Sequence, residues 1–270
     1  MSKIVHLSNR SVLSLEGSDS LRFLQSLITN DVNHVTDTAF TYSFMLSPQG
    51  KFLYDFFIIR GEGDSQVLID CQSSYCDEIL TKFNMYKLRS DVTILKQADL
   101  KVYASFDDIR KDRPGFIDPR CKNLGFRIIT HSIYPNTITM DGYTYQRIKC
   151  LVPDGDEDFT YNRSLILEYD ALRLNGVSFT KGCYVGQEVV SRMNYRLNVR
   201  KKLYLIKFNS QTDEMPPKGS DFELNGKIIG TFLSHSRDLA LGLLVIDEAA
   251  ALLTQTKVPL EKYGNITILN

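Results

Sequence analysis

The stretch SFTKGCYVGQEVVSR, residues 178–192, decides how this chain is read. It sets Cys183 between Gly182 and Gly186, with Lys181 two residues ahead and the pair Gln187–Glu188 just behind. A segment that only packs has no need of that combination. The glycines admit positive φ and close backbone approach. Gln187 to Arg192 can open a helix. A thiol near a helix N-terminus meets partial positive charge, and Lys181 adds a full charge nearby. Both lower a thiol pKa, and the thiolate is the form that attacks and ligates. On chemistry alone, Cys183 is a reactive thiol, a ligand, or a small loop cysteine of the kind proteins often bury.

The rest of the chain limits the choice. Its 270 residues suit one large domain or a few small ones, with 43% hydrophobic and 24% charged residues. Lys plus Arg and Asp plus Glu each number 32, so there is no basic excess of the kind a general nucleic-acid binder carries. Direct nucleic-acid binding is not expected. No apolar run reaches the ~18–20 residues that span a membrane. The N-terminus MSKIVHLSNRSVLSLEG lacks the features of a signal or transit peptide, which gives the expectation of a cytoplasmic protein. The five cysteines, Cys71, Cys76, Cys121, Cys150 and Cys183, have no CxxC spacing. That is a poor framework for disulfides, zinc or a stable cluster, and no stable metal is expected. None of the four histidines lies near Cys183 in sequence, so a Cys–His pair could form only through the fold.

The pattern along the chain is mixed. A strand over 12–15 leads to Ser18 or Asp19 as a helix cap. Leu21, Leu24, Leu27 and Ile28 then share one helical face as far as Asn30–Asp31. Pro48-Gln49-Gly50 is a turn between FTYSFML and the apolar strand KFLYDFFIIRG, with Asp55 set inside the strand. QVLIDC is a strand. Residues 73–92 read as a helix with Tyr75, Ile79, Phe83 and Tyr86 or Lys87 inward. VTILKQ, KVYASF and 126–129 are strands, 111–129 is otherwise loop-rich, and DGYTYQRIKCLVP is a helix running to Pro153. Past a boundary near 196–202 the texture becomes short alternating strands. Leu224-Asn225-Gly226-Lys227 is a hairpin signal there. A small β-barrel fits this tail. The fold class is α+β, divided as 1–195 and 196–270.

With these residues in view, a family resemblance enters. Gly176 to Glu188 fills every fixed position of G-V-S-F-x-K-G-C-[YF]-x-G-Q-E, and so resembles the signature of YgfZ-type proteins. These are the folate-binding, iron–sulfur cluster assembly relatives of the glycine-cleavage T-protein (aminomethyltransferase). FLQSLITNDV (23–32), MLSPQGKFLYDFFI (45–58) and YQRIKCLVPDGDEDF are similar to further family segments. The resemblance implies two α/β portions around a central opening that holds tetrahydrofolate, with a small C-terminal barrel. It also implies a role in assembly or repair of [4Fe–4S] enzymes, including those that modify tRNA. Iron–sulfur clients or scaffolds would then be the partners. By position, Cys183 is the functional thiol, with Lys181 beside it. Gly182, Tyr184, Gly186, Gln187 and Glu188 shape the loop. Asn30, Asp31, Asp55 and Arg147 are candidate folate contacts, and Cys183 is a candidate transient cluster ligand. Where T-proteins carry G-G-x-x-D-D, this chain reads Gly50-Lys51-Phe52-Leu53-Tyr54-Asp55. One carboxylate of the acidic pair is therefore a phenol, a poor proton acceptor at neutral pH. Two other functions stand beside assembly: a folate-dependent one-carbon transferase, and a cysteine-nucleophile hydrolase.

Overall fold

The structure, a computed structural model, describes residues 3–36, 39–61, 63, 66–108, 115–196, 199–209, 214–260 and 262–270. Residues 111–114 of the expected loop and 197–198 of the expected boundary lie outside the described residues. In chain order the strands and helices are β1 (Ile4–His6), β2 (Arg10–Glu16), α1 (Ser20–Leu27), β3 (Thr41–Leu46), β4 (Phe52–Arg60), β5 (Gln66–Gln72), α2 (Cys76–Tyr86), β6 (Thr93–Gln97), β7 (Lys101–Ser105), β8 (Phe116–Ile117), β9 (Phe126–Thr130) and α3 (Met140–Lys149). Then come α4 (Gln187–Tyr195), β10 (Lys201–Phe208), β11 (Asp221–Leu224), β12 (Lys227–Ser236), β13 (Leu239–Val245), α5 (Ile246–Leu252), β14 (Val258–Leu260) and β15 (Gly264–Leu269).

The strands form three antiparallel sheets, ordered β3-β4-β5-β2-β6, β1-β7-β9-β8 and β11-β12-β13-β10-β15-β14. The α+β class and the β-rich tail follow the sequence reading. The tail hairpin turns at Asn225 and Gly226, both at positive φ, as its Asn-Gly pair requires.

Strand β4 explains the centre of the molecule. It is almost wholly apolar because both of its faces are covered. Tyr54, Phe56 and Ile58 point into the core under α1 and α2, where Phe23, Leu24, Ile79 and Phe83 meet them. Phe57 and Ile59 point the other way, into a core shared with the Ile166–Tyr169 turn and with β10, β12 and β13. Phe52, Phe56 and Phe57 are fully buried, each contributing roughly 1.5–3 kcal/mol. Asp55 lies on the Phe57 side.

Several element ends differ from the sequence pattern. Helix α1 stops at Leu27 because Ile28 pairs with Met45 and Thr29 N donates to Phe44 O. Strand pairing takes those residues before Asn30–Asp31 can close a helix. Phe23 joins Leu24 and Leu27 in the core, and Leu21 packs half-buried against it. Asp19 holds the N-cap position, but its carboxylate accepts from Asp91 N rather than from its own helix. Helix α2 runs only from Cys76 to Tyr86, since Leu88 turns to positive φ; Tyr86 is exposed. Helix α3 ends at Lys149, short of Pro153.

Candidate functional site

The thiol loop is held from three sides. Ser178 N donates to Thr29 O, and Ser178 Oγ accepts from Lys181 N. Lys181 is buried, and its ammonium donates to Gln25 O, Ile28 O and Asn30 O at 2.7, 2.7 and 2.8 Å. These carbonyls belong to the last part of α1 and the segment after it, where helix carbonyls lack partners and attract a cation. Burial lowers the Lys181 pKa to about 8, and the ring of Tyr184 lies 5.1 Å from the ammonium. Three backbone carbonyls take its donors, so Lys181 also acts as a clamp on the loop.

The third hold is glycine against glycine. Gly186 sits at φ +84°, and a Cβ there would lie 2.7 Å from Ser47 O. Gly50 sits at φ +71°, and a Cβ there would strike Val189 at 2.7 Å. The β3–β4 turn and the thiol loop therefore interlock. Gly182 is different: its φ is not positive and an added Cβ would meet open space. Its expected need for glycine is corrected. Tyr184 is buried, and burial pushes its phenol pKa up. Gln187 N donates to Tyr184 O, opening α4, and Glu188 pairs with Arg192 on the outer face. Cys183 is exposed on this fixed loop. Among the described residues its thiol makes no hydrogen bond, to a histidine or to any other group. The cysteine–histidine arrangement a hydrolase needs is not formed.

The second feature is a buried polar centre. Asp55 is 2% exposed. Its Oδ2 accepts from Tyr42 Oη at 3.0 Å, while Oδ1 has no partner and abuts the backbone at Gly155. Burial pushes the Asp55 carboxyl pKa up; Arg10 and Arg120 oppose the rise and Asp154 adds to it. Asp70 behaves oppositely. Arg10 donates to its Oδ1 at 2.6 Å and Arg127 to its Oδ2, which hold it ionised against the cost of burial. Arg120 binds Asp118 through Nε and Nη2 at 3.0 and 2.8 Å. The guanidiniums of Arg10, Arg120 and Arg127 lie 5.6, 4.7 and 4.0 Å from the Phe57 ring centre. Among the described residues, Arg120 leaves Nη1 without a hydrogen bond, and Arg10 likewise.

Two cavities flank this centre. One, of ≈ 340 Å³, is lined by Arg10, Arg127, Arg147, Asp154, Ser234 and others. The other, of ≈ 570 Å³, is lined by Asn30, Tyr42, Asp118, Cys121, Asn175 and others. Arg120 lines both. The sequence candidates thus divide. Arg147 borders the smaller cavity, but Val152 O, Asp158 and Ser234 Oγ occupy its guanidinium and tie α3 to the barrel. Asn30 borders the larger cavity, with its amide on Tyr42 O and Asn175 O. Asp31 stays by the α1 end, accepting from Asn33 N and Gln25 Nε2; the hydrogen bond from Asn33 N lowers its pKa. Neither cavity is lined by Cys183 or by Asp55.

The pattern also missed Arg10, Arg120, Arg127 and Asp154, which sit in unremarkable contexts. Asp70, alone in the apolar strand QVLIDC, was with Asp55 the signal that buried cations lay opposite. Tyr54 needs a second reading. Its hydroxyl meets Tyr161 at 3.4 Å on the far face of β4. The retained Asp55 is therefore the member of the pair that faces the centre.

Three antiparallel sheets around a polar centre, with an exposed thiol on an interlocked loop, define an aminomethyltransferase-like fold. The glycine cleavage system aminomethyltransferase T from Bartonella henselae superposes with a TM-score of 0.75, covering 100% of this chain and 85% of that one, at 11% identity. Residues 200–262 match the family described as CAF17, C-terminal beta-barrel domain. Among curated relatives, the human mitochondrial iron-sulfur cluster assembly factor IBA57 is 28% identical, over 88% of this chain and 76% of its own. The mouse protein is 30% identical with the same coverage. The Mycosarcoma maydis homolog is 31% identical, over 76% of this chain and 57% of its own. The chain belongs to the IBA57 family of iron–sulfur cluster assembly factors. The YgfZ-type resemblance resolves as membership of this related family. The relatives are named mitochondrial, which overturns the expectation of a cytoplasmic protein.

Proposed function

We propose that this chain assembles or repairs iron–sulfur clusters in [4Fe–4S] enzymes, tRNA-modifying ones among them, by presenting the Cys183 thiol to a cluster carried by a partner. We further propose that tetrahydrofolate occupies the central cavities. The observation that carries the reading is the exposure of Cys183 on a loop immobilised by Lys181 and Gly186. A fixed, accessible thiol suits a ligand shared between two proteins, because one cysteine cannot complete a cluster's coordination.

The residues present fit a reduced folate. A pterin is a flat ring with N–H donors, and its tail is anionic. Asp55 Oδ1 is a buried acceptor without a partner, beside the cavities but in the lining of neither. Arg10 and Arg120 keep spare guanidinium donors for an anion. When bound, the folate supplies a one-carbon carrier. Burial raises the pKa of the Asp55 carboxyl, so it keeps a proton more readily than a free carboxylate would. That observation favours a second reading, a one-carbon transfer using the same carboxyl.

Anaerobic transfer from a [2Fe–2S] donor protein to an apo-dehydratase tests the first reading. The wild type should accelerate activation and Cys183→Ala should not. Equal acceleration by both would sink the role of the thiol. Titration with tetrahydrofolate tests the second component; the absence of saturable binding would remove folate from the account.

A further inference from the structure

The four cysteines away from the thiol loop form two contacting pairs. The thiols of Cys71, in β5, and Cys76, the first residue of α2, adjoin; Cys71 Sγ donates to Ser11 O, and both residues are shut off from solvent. The thiols of Cys121 and Cys150 are likewise in contact, but both are only half-buried. Cys121 precedes the single turn Lys122–Leu124, and Cys150 ends α3. Gln146 ties these segments together: its amide donates to Asn123 O at 3.1 Å and to Cys150 Sγ at 3.9 Å. Cys121 also lines the larger cavity beside Arg120, and α3 carries Arg147 of the smaller one.

We infer that Cys121 and Cys150 form an oxidisable dithiol, a modification site that closes to a disulfide on meeting a small-molecule disulfide. The order of steps follows from access. Cys121 lines the larger cavity and Cys150 does not, and burial pushes the Cys150 thiol up to about 12, so Cys121 attacks first. Its thiolate displaces one thiolate from the oxidant and forms a mixed disulfide. Cys150 then yields its proton to water and attacks the Cys121 sulfur, releasing the second thiolate, which takes up a proton. Two protein thiols lose two electrons, and one disulfide becomes two thiols. The new bond would join the segment bearing Asp118 and Arg120 to the end of α3, coupling both cavity walls to thiol redox state.

The structure assigns three different fates to the five cysteines. Cys183 is exposed and single, so it carries a mixed disulfide only. Cys71 and Cys76 are sealed and must await local opening. The test treats the full chain, and a Cys183→Ser variant, with oxidised glutathione at mildly alkaline pH, then maps peptides without reduction. A Cys121–Cys150 linked peptide should form in both proteins, about tenfold or more faster than any Cys71–Cys76 link. Cys150→Ser should trap glutathione on Cys121. Accumulation of Cys121–glutathione in the wild type without the intramolecular link would overturn the inference. So would closure of Cys71–Cys76 at the same rate, or no adduct on Cys121 when Cys150 is serine.

Discussion

Asp55→Asn gives an unusual prediction: it should make the protein more stable. The wild-type carboxyl is buried, one of its oxygens has no partner, and burial raises its pKa despite Arg10 and Arg120. A raised carboxyl pKa means the folded state holds the proton more tightly than the unfolded chain. The associated stability is complete below the unfolded value of about 3.9 and is lost as pH rises through the folded pKa. Asparagine keeps a polar atom at the unpartnered position but removes the buried charge, whose uncompensated part costs about 1–3 kcal/mol. Partial relief by the two arginines puts the gain on replacement near the lower end, about 1 kcal/mol at neutral pH. At 270 residues that corresponds to roughly 2–4 °C in Tm. The assay is thermal melting of both proteins from acidic to neutral pH. The difference between them should grow with pH, and subtraction cancels Asp70, Asp118 and Asp154, whose pKa values are lowered. The same variant should bind tetrahydrofolate more weakly. A variant less stable than wild type at neutral pH, or a difference that does not change with pH, would refute the reasoning.

Other substitutions probe the loop and its supports. Gly186→Ala should cost about 1–3 kcal/mol, because it combines strain at positive φ with a clash on Ser47 O, while Gly182→Ala should change Tm by less than a degree or two. Lys181→Met strands three buried carbonyls and should cost about 3 kcal/mol, read by urea unfolding; an unchanged midpoint would deny the clamp. Arg147→Ala leaves Asp158 without its cation and should cost about 3 kcal/mol, with faster hydrogen exchange where α3 meets β12.

The sequence showed its strongest features where chemistry is local. The Asn225–Gly226 turn, the hairpin around Gly50 and the apolar run of β4 can be read from residue types alone. So can the start of α4 after Gly186. The ends of α1 and α2 could not, because pairing of Ile28 with Met45 is a long-range event that overrides helical periodicity. At the site, the motif located the thiol but did not reveal the clamp that Lys181 makes. Its partners are carbonyls about 150 residues away in the chain, and no spacing rule reaches that far. The cluster of Arg10, Arg120 and Arg127 over Phe57 was hidden for the same reason. Each arginine comes from a different segment, and only the solitary Asp55 and Asp70 in apolar strands hinted that buried cations must lie opposite.

The most direct test of the central claim replaces Cys183 by Ala in a host whose own IBA57-family factor has been deleted. Activity of a [4Fe–4S] dehydratase and tRNA methylthiolation are measured, with the variant verified as folded and glycine cleavage followed as a control. The account predicts that the wild-type chain restores both iron–sulfur readouts and the variant restores neither, with glycine cleavage unchanged. Full restoration by the variant would contradict it, leaving Cys183 an ordinary loop residue and returning the weight of function to Asp55.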